Sequence, residues 1–146
     1  MTDRAHLSDR ARLDTIADAQ PPLARLLGVR IVSAELDRVV GEVDVTEALT
    51  NRFGALHGGA VMAMADNLGG TAAYLNLEEG EGATTIESKT NFFRSVAVGD
   101  TVRAEAIPLH IGRSTMVWQT TLTRLSDGKV AAIVTQTQMR MRAAKG

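Results

Sequence analysis

Residues 51–74, NRFGALHGGAVMAMADNLGGTAAY, constrain this chain more than any other stretch. The segment opens polar, passes through Gly58-Gly59, and then runs apolar for about five helical turns, broken once by Asp66-Asn67. A carboxylate in so apolar a run must reach water, find partners, or be held for chemistry. Ala60, Ala63, Ala65, Ala72 and Ala73 keep the helix slim, and apolar residues on every side of it predict that it is buried, wrapped by a sheet. Gly58 and Gly59 leave the first turn without bulky side chains, so its amide hydrogens stay accessible at the positive end of the helix dipole.

The remaining sequence supplies the sheet. Residues 1–27 read as a helical packing arm: Ser8 caps a short helix carrying Leu13, Ile16 and Ala17, and Pro21-Pro22 stops it. Pro22 then opens a second short helix, PLARLL, closed by Gly28. Strands are expected at 29–36 and at 39–46, where Val39, Gly41, Val43 and Val45 alternate with Val40, Glu42, Asp44 and Thr46. Residues 47–56 connect to the long helix. Beyond a turn at 78–82 only strands follow: 84–93; 101–109 with Val102, Ala104 and Ala106 on one face; 114–124 with Met116, Trp118, Thr120 and Leu122; and 129–141 with Ala131, Ile133, Thr135, Thr137 and Met139. Turns are expected at His110 to Gly112 and at Ser126-Asp127-Gly128, the latter a strong hairpin signal. One long helix among about six strands predicts an α+β fold, an antiparallel sheet curled round that helix in a domain spanning 28–146. Such a sheet has exposed edges, so the chain is expected to pair as a homodimer, doubled to a homotetramer.

Composition removes several function classes. The 16 basic and 17 acidic residues balance to −1, and aromatics are 3%, so neither a polyanion field nor stacking platforms for nucleic acid are present. With no cysteine there is no disulfide framework, thiolate metal site or cysteine nucleophile, which fits a reducing cytoplasm. The charged N-terminus lacks the apolar core of a secretory signal, and His57, Asp66, Asn67 and four glycines make 56–77 a poor membrane span. His6, His57 and His110 share no ligand spacing, so no metal is expected. Serine-hydrolase, phosphate-loop and dinucleotide fingerprints are missing.

What remains is the opening stretch. An accessible helix N-terminus can polarise a carbonyl or hold an oxyanion, and Asp66, two turns further in, can serve there as general base or nucleophile. Asn51 offers an amide to orient water. The competing structural reading puts Asp66 on a solvated stripe with Met62 and Gly70, makes His57 a helix cap and Asn51 a turn residue, and gives Gly58-Gly59 to close packing.

N-x-x-G-x-x-H-G-G at 51–59, followed by Ala65-Asp66 and by F-x-R-S-V-x-V-G-D at 92–100, resembles the hotdog-fold acyl-CoA thioesterases. Within the 4-hydroxybenzoyl-CoA thioesterase superfamily it is most similar to the phenylacetate-pathway type, and the resemblance spans about 28–142. It implies hydrolysis of an aryl- or medium-chain acyl-CoA without a separate cofactor. It also implies roles: Asn51 orients water, the Gly58 amide polarises the carbonyl, His57 assists at the same turn, and Asp66 is base or nucleophile. A hydroxyl at Thr85, or alternatively Thr84, comes from the neighbouring subunit. Acyl contacts are expected from Gly59, Met62, Phe53, Leu68 and the partner's Phe92 or Trp118. Coenzyme A phosphates need local cations, for which Arg94, Arg113 with Ser114 at a hairpin, and Arg124 are the candidates. Two other functions fit the fold: a hotdog hydratase or dehydratase, which needs a histidine paired with a carboxylate, and a non-catalytic acyl-CoA-binding protein. The D-x-N-x-x-H pattern of the former is missing, and the latter would lack Asp66.

Overall fold

The computed structural model describes residues 10–142, with side chains from residue 14 onward; the expected Ser8 cap and the side chain of Leu13 lie outside them. The described residues form α1 (Arg10–Asp18), α2 (Pro22–Leu27), β1 (Arg30–Glu35), β2 (Arg38–Asp44), a 3₁₀ turn (Glu47–Leu49), α3 (Gly58–Leu75), β3 (Gly82–Phe92), β4 (Thr101–Ile111), β5 (Thr115–Arg124) and β6 (Val130–Met141). The strands make one antiparallel sheet in the order β1-β2-β4-β5-β6-β3. The long connection from β2 through α3 to β3 carries the chain from one side of the sheet to the other, so α3 lies across it and touches every strand.

The inner face of the sheet is built by the alternation read from the sequence. Val39 and Val43 on β2, Val102, Ala104 and Ala106 on β4, and Met116, Trp118 and Leu122 on β5 are all buried beneath the helix. Against them α3 sets Val61, Met64, Ala65, Leu68, Ala72 and Ala73. Small residues let the helix sit low. A Cβ at Gly41 would stand 3.1 Å from Leu68 Cδ1 and 3.2 Å from the Arg30 carbonyl, so a side chain there would lift the helix off the sheet.

Three expectations change. α3 is not apolar-faced and buried all round: Met62, Asp66 and Tyr74 form an exposed stripe, spaced three to four residues apart with Gly59 and Gly70. A single sheet can cover only one side of a helix. The turn expected at His110 to Gly112 lies two residues later, at Gly112 to Ser114, because a bulge between Pro108 and His110 shifts the register and keeps Ile111 paired with Met116. On β6 the named face of Ile133, Thr135, Thr137 and Met139 is the outer one, while Ala132, Val134, Gln136 and Gln138 point inward. Hydrophobicity alone would not place two glutamines in the core; their partners on α3 and β3 do.

No described helix is long and apolar enough to cross a membrane. The hairpin between β5 and β6 is closed by Asp127, which accepts from Arg124 Nε and Nη2 at 2.8 and 2.7 Å and from the Lys129 amide at 3.1 Å. The Arg124 hydrogen bonds hold its carboxyl down at about 2. A lowered folded value gives a contribution present above the ordinary carboxylate range, about 4, and lost as pH falls through it. Asp127→Asn should therefore lower Tm modestly at pH 7 and flatten its decline between about pH 4 and pH 2, so that the two proteins converge in acid, measured by thermal unfolding across that window.

Candidate active site

The loop before α3 is pinned on both sides. The Leu56 amide donates to the Val96 carbonyl at 2.8 Å and the His57 amide to the Leu49 carbonyl at 2.8 Å. Asn51 shapes the loop from within: its Oδ1 accepts from the Phe53 amide at 2.9 Å and the Ala55 amide at 3.3 Å. The Nδ2 group has no partner among the described residues and remains available as a donor.

His57 is the N-cap of α3, its Nδ1 accepting from the Gly59 amide at 2.8 Å. In the neutral ring this places the proton on Nε2. The Ala60 and Val61 amides both turn to the His57 carbonyl, at 2.9 and 3.1 Å. Of the first four helical amides, only that of Gly58 is left without an acceptor among the described residues. It opens into a cleft of about 410 Å³ lined by Asn51, Gly58, Phe92, Arg94 and Ala132 among others. The Phe92 ring packs so near that a Cβ at Gly58 would lie 3.2 Å from it.

Asp66 sits elsewhere. Its Oδ1 accepts from Thr85 Oγ1 at 2.8 Å and, more weakly, from Gln136 Nε2 at 3.4 Å. Gln138 Nε2 in turn donates to Thr85 Oγ1 at 2.7 Å, so the hydroxyl proton is committed to Asp66. Both glutamines are nearly solvent-free, and Gly69 makes room for one of them: a Cβ there would lie 2.4 Å from Gln136 Cδ. This polar chain holds one carboxylate oxygen from below and leaves Oδ2 without a partner among the described residues. Thr85, rather than Thr84, is the residue that meets α3, donating to Asp66 of its own chain.

The cations divide by position. Arg94 lies in the Gly58 cleft, with Nη1 donating to the Val130 carbonyl at 2.7 Å. Arg124 is taken up by Asp127 and by the Ser95 carbonyl. Arg113 and Ser114 lie at the other end of the sheet, beside Arg140, whose amide donates to the Ser114 carbonyl at 2.8 Å. Eight β6 residues separate Arg140 from Ala132, so that turn is about 26 Å along the strand from the Gly58 cleft. Arg113 shares its hollow with Glu78, Glu79 and Glu81, and Glu81 pairs with Arg140 at 3.0 Å. Leu68 and Trp118 are wholly enclosed in the core and offer no surface to an acyl group, whereas Phe53, Met62 and Phe92 are exposed. Among the described residues no group of three or more histidines and carboxylates is placed to hold a metal.

The glutamines and the groove beside Asp66 escaped sequence reading. A glutamine on the inward phase of a strand, opposite a Gly-Gly in the helix, was the available signal.

One long helix laid across a six-stranded antiparallel sheet in the order β1-β2-β4-β5-β6-β3 is a hotdog fold. Residues 53–131 match the sequence profile of the Thioesterase superfamily. The chain is 35% identical over 101 residues to the 1,4-dihydroxy-2-naphthoyl-CoA hydrolase of Listeria monocytogenes, covering 69% of this chain and 81% of that one. In three dimensions it is similar to a thioesterase from Haemophilus influenzae, with a TM-score of 0.83, 27% identity and coverage of 89% and 90% of the two chains. It is also similar to a Streptococcus mutans protein solved with acetyl CoA bound, with a TM-score of 0.73, 27% identity and coverage of 80% and 91%. The chain belongs to the Thioesterase superfamily and is a thioester hydrolase.

Removing the Thr85 hydroxyl leaves the buried Gln138 amide unpaired, at a cost of about 1–3 kcal/mol. Thr85→Val should lower Tm accordingly, and Thr85→Val/Gln138→Leu should recover part of the loss. Thermal unfolding of both proteins checks the order.

Proposed function

We propose that this thioester hydrolase cleaves acyl-CoA to the free acid and coenzyme A, with Asp66 as general base or nucleophile and the Gly58 amide polarising the carbonyl. The carrying observation is a distance. Gly58 and Asp66 are eight residues apart on one straight helix, a rise of about 12 Å, whereas both groups must lie about 3 Å from one reacting carbonyl. One protomer therefore holds two half-sites. A second copy related by a two-fold axis would bring its Gly58 and Asn51 to this Asp66, and the reverse.

Surface chemistry supports the pairing. β3 is an edge strand of 11 residues beside the Met62–Tyr74 stripe of α3; Ile86 and Phe92 on it, and Phe93 just beyond its end, are each more than half exposed. A further apolar row on β4, Ile107, Leu109 and Ile111, gives a surface for doubling to a tetramer.

In the completed site the Asn51 Nδ2 donates to the attacking water or the carbonyl, and Asp66 Oδ2 either takes the water proton or attacks directly to give a mixed anhydride that water then hydrolyses. Negative charge then collects on the carbonyl oxygen at the Gly58 amide, and the thiolate of coenzyme A departs. No cofactor enters. Arg94, in the same cleft as Gly58, is the cation placed to meet a phosphate. The naphthoyl-CoA substrate in the Listeria relative's name and the acetyl CoA in the Streptococcus structure support coenzyme A as the carrier. A hydratase would need His57 against a carboxylate, and among the described residues none is hydrogen-bonded to it.

Asp66→Asn should lower kcat by about 10²–10⁴ with Tm preserved, measured on one preparation. Near-wild-type turnover in the folded protein would sink the mechanism. Unfolding and remixing inactive Asp66→Asn with inactive Asn51→Ala tests the shared site. Random pairing makes half the dimers mixed, each with one intact site, so about a quarter of wild-type activity should return. No recovery would place each site within one chain. Arg94→Ala should raise KM for acyl-CoA several-fold, and leave hydrolysis of a short thioester lacking the nucleotide nearly unchanged. Equal losses on both would remove Arg94 from the phosphate site.

A further inference from the structure

We propose that bound water lies between the sheet and the middle of α3, where it fixes the amide of Gln136 and, through it, the carboxylate of Asp66. The second step rests on the reading of Asp66 as the acting carboxylate. Five buried side-chain polar atoms have no hydrogen-bond partner among the described residues: Ser88 Oγ, Thr90 Oγ1, Trp118 Nε1, Thr120 Oγ1 and Gln136 Oε1. Strand register gathers them into one patch. Gln136 on β6 stands between Ser88 on β3 and Trp118 on β5. One row nearer the Gly58 cleft, Val134 stands between Thr90 and Thr120. Residues two apart on a strand share a face, so these side chains lie side by side under the helix.

The chemistry of the patch calls for water. Five unpaired buried polar groups would cost an amount that rivals the whole stability of an ordinary domain. Trp118 Nε1 can only donate and Gln136 Oε1 can only accept, while the three hydroxyls do both, so the set is complementary. None bonds another directly. Facing side chains on neighbouring strands have Cβ atoms about 4.5–5.5 Å apart, and one water spans two groups up to roughly 5.6 Å apart. A buried water binds about three groups, which the patch can supply. The helix is thin above it: Gly69 has no side chain, and Ala65, one turn earlier on the same face, is wholly buried. The next row needs no such help, because Thr85, Gln138 and Asp66 satisfy one another.

The consequence falls on Asp66. Gln136 Nε2 reaches Asp66 Oδ1 at 3.4 Å, beside the Thr85 hydroxyl at 2.8 Å. Turned over, the Gln136 amide would set its oxygen against the carboxylate, so the oxygen belongs on the side of the patch and needs a donor there. A water donating to Gln136 Oε1 and accepting from Ser88 or Thr90 provides it. That hydrogen bond fixes which end of the amide faces Asp66, which makes Gln136 a positioning residue.

Magnetic relaxation dispersion of water oxygen-17 counts waters held longer than the protein tumbles. Thr90→Val should lose at least one such water relative to the wild type, and Thr90→Ser, which keeps the hydroxyl, should retain it. With benzoyl-CoA as substrate, Thr90→Val should lower kcat several-fold while KM changes by less than about twofold, and Thr90→Ser should restore kcat. Ser88→Ala carries both measurements if Thr90→Val does not fold. Equal water counts in the wild type and the folded variant overturn the site. So does a crystal structure in which these side chains bond each other, or a second copy, with no water between them. A lost water with kcat unchanged would keep the site and overturn its hold on Asp66. Full turnover by Asp66→Asn would remove Asp66 from the chemistry, and the water count would still decide the site.

Discussion

A single helix seated low on an antiparallel sheet governs everything else in this protein. The sheet covers one side of α3 and demands small and apolar residues there, Ala65, Leu68, Ala72 and Ala73, over the floor that Gly41 keeps clear. The other side is only partly covered in the protomer, by the arm at Asn67, and the groups able to act on a carbonyl lie along that side and at its start. The helix rise then fixes their separation. The Gly58 amide and the Asp66 carboxylate stand about 12 Å apart along the helix, so the proposed site requires a second copy to complete it.

Asp66 shows how a carboxylate persists in an apolar helix. Its exposed position removes most of the desolvation cost, and the chain from Gln138 through Thr85, with Gln136 alongside, fixes one oxygen by neutral donors. No cation touches it among the described residues, so its charge is oriented without being neutralised by an ion pair. Gly69 belongs to this arrangement, because its missing side chain is the space Gln136 occupies. The loop at 51–57 solves the complementary problem. Asn51 and His57 spend one acceptor each on backbone amides, and among the described residues Asn51 Nδ2 and the Gly58 amide are left without acceptors. Structural and chemical roles are therefore not rivals at these residues: the oxygen or nitrogen that builds the turn is what aims the remaining donor.

Much of this was legible in residue order. The long helix over 58–75, the turns set by Gly28 and Gly128, and the inward faces of β2, β4 and β5 follow from spacing and alternation, which are local properties. The motif at 51–59 with Asp66 pointed to the proposed site because glycine, amide and carboxylate occur there in an order a thioester hydrolase can use. The sequence could not show that Asp66 takes its hydroxyl partner from its own chain, that two glutamines stand beneath it, or that Arg113 lies at the far end of the sheet from Gly58. Each depends on pairings across long sequence separations: β3 with β6, and α3 over both. The face of β6 was misread for the same reason, since burial there is decided by what Gln136 and Gln138 meet and not by their polarity. By itself the sequence determined which elements form and which residues carry reactive groups. Tertiary structure alone decided which of those groups meet, because register and helix placement set distances that no local pattern encodes.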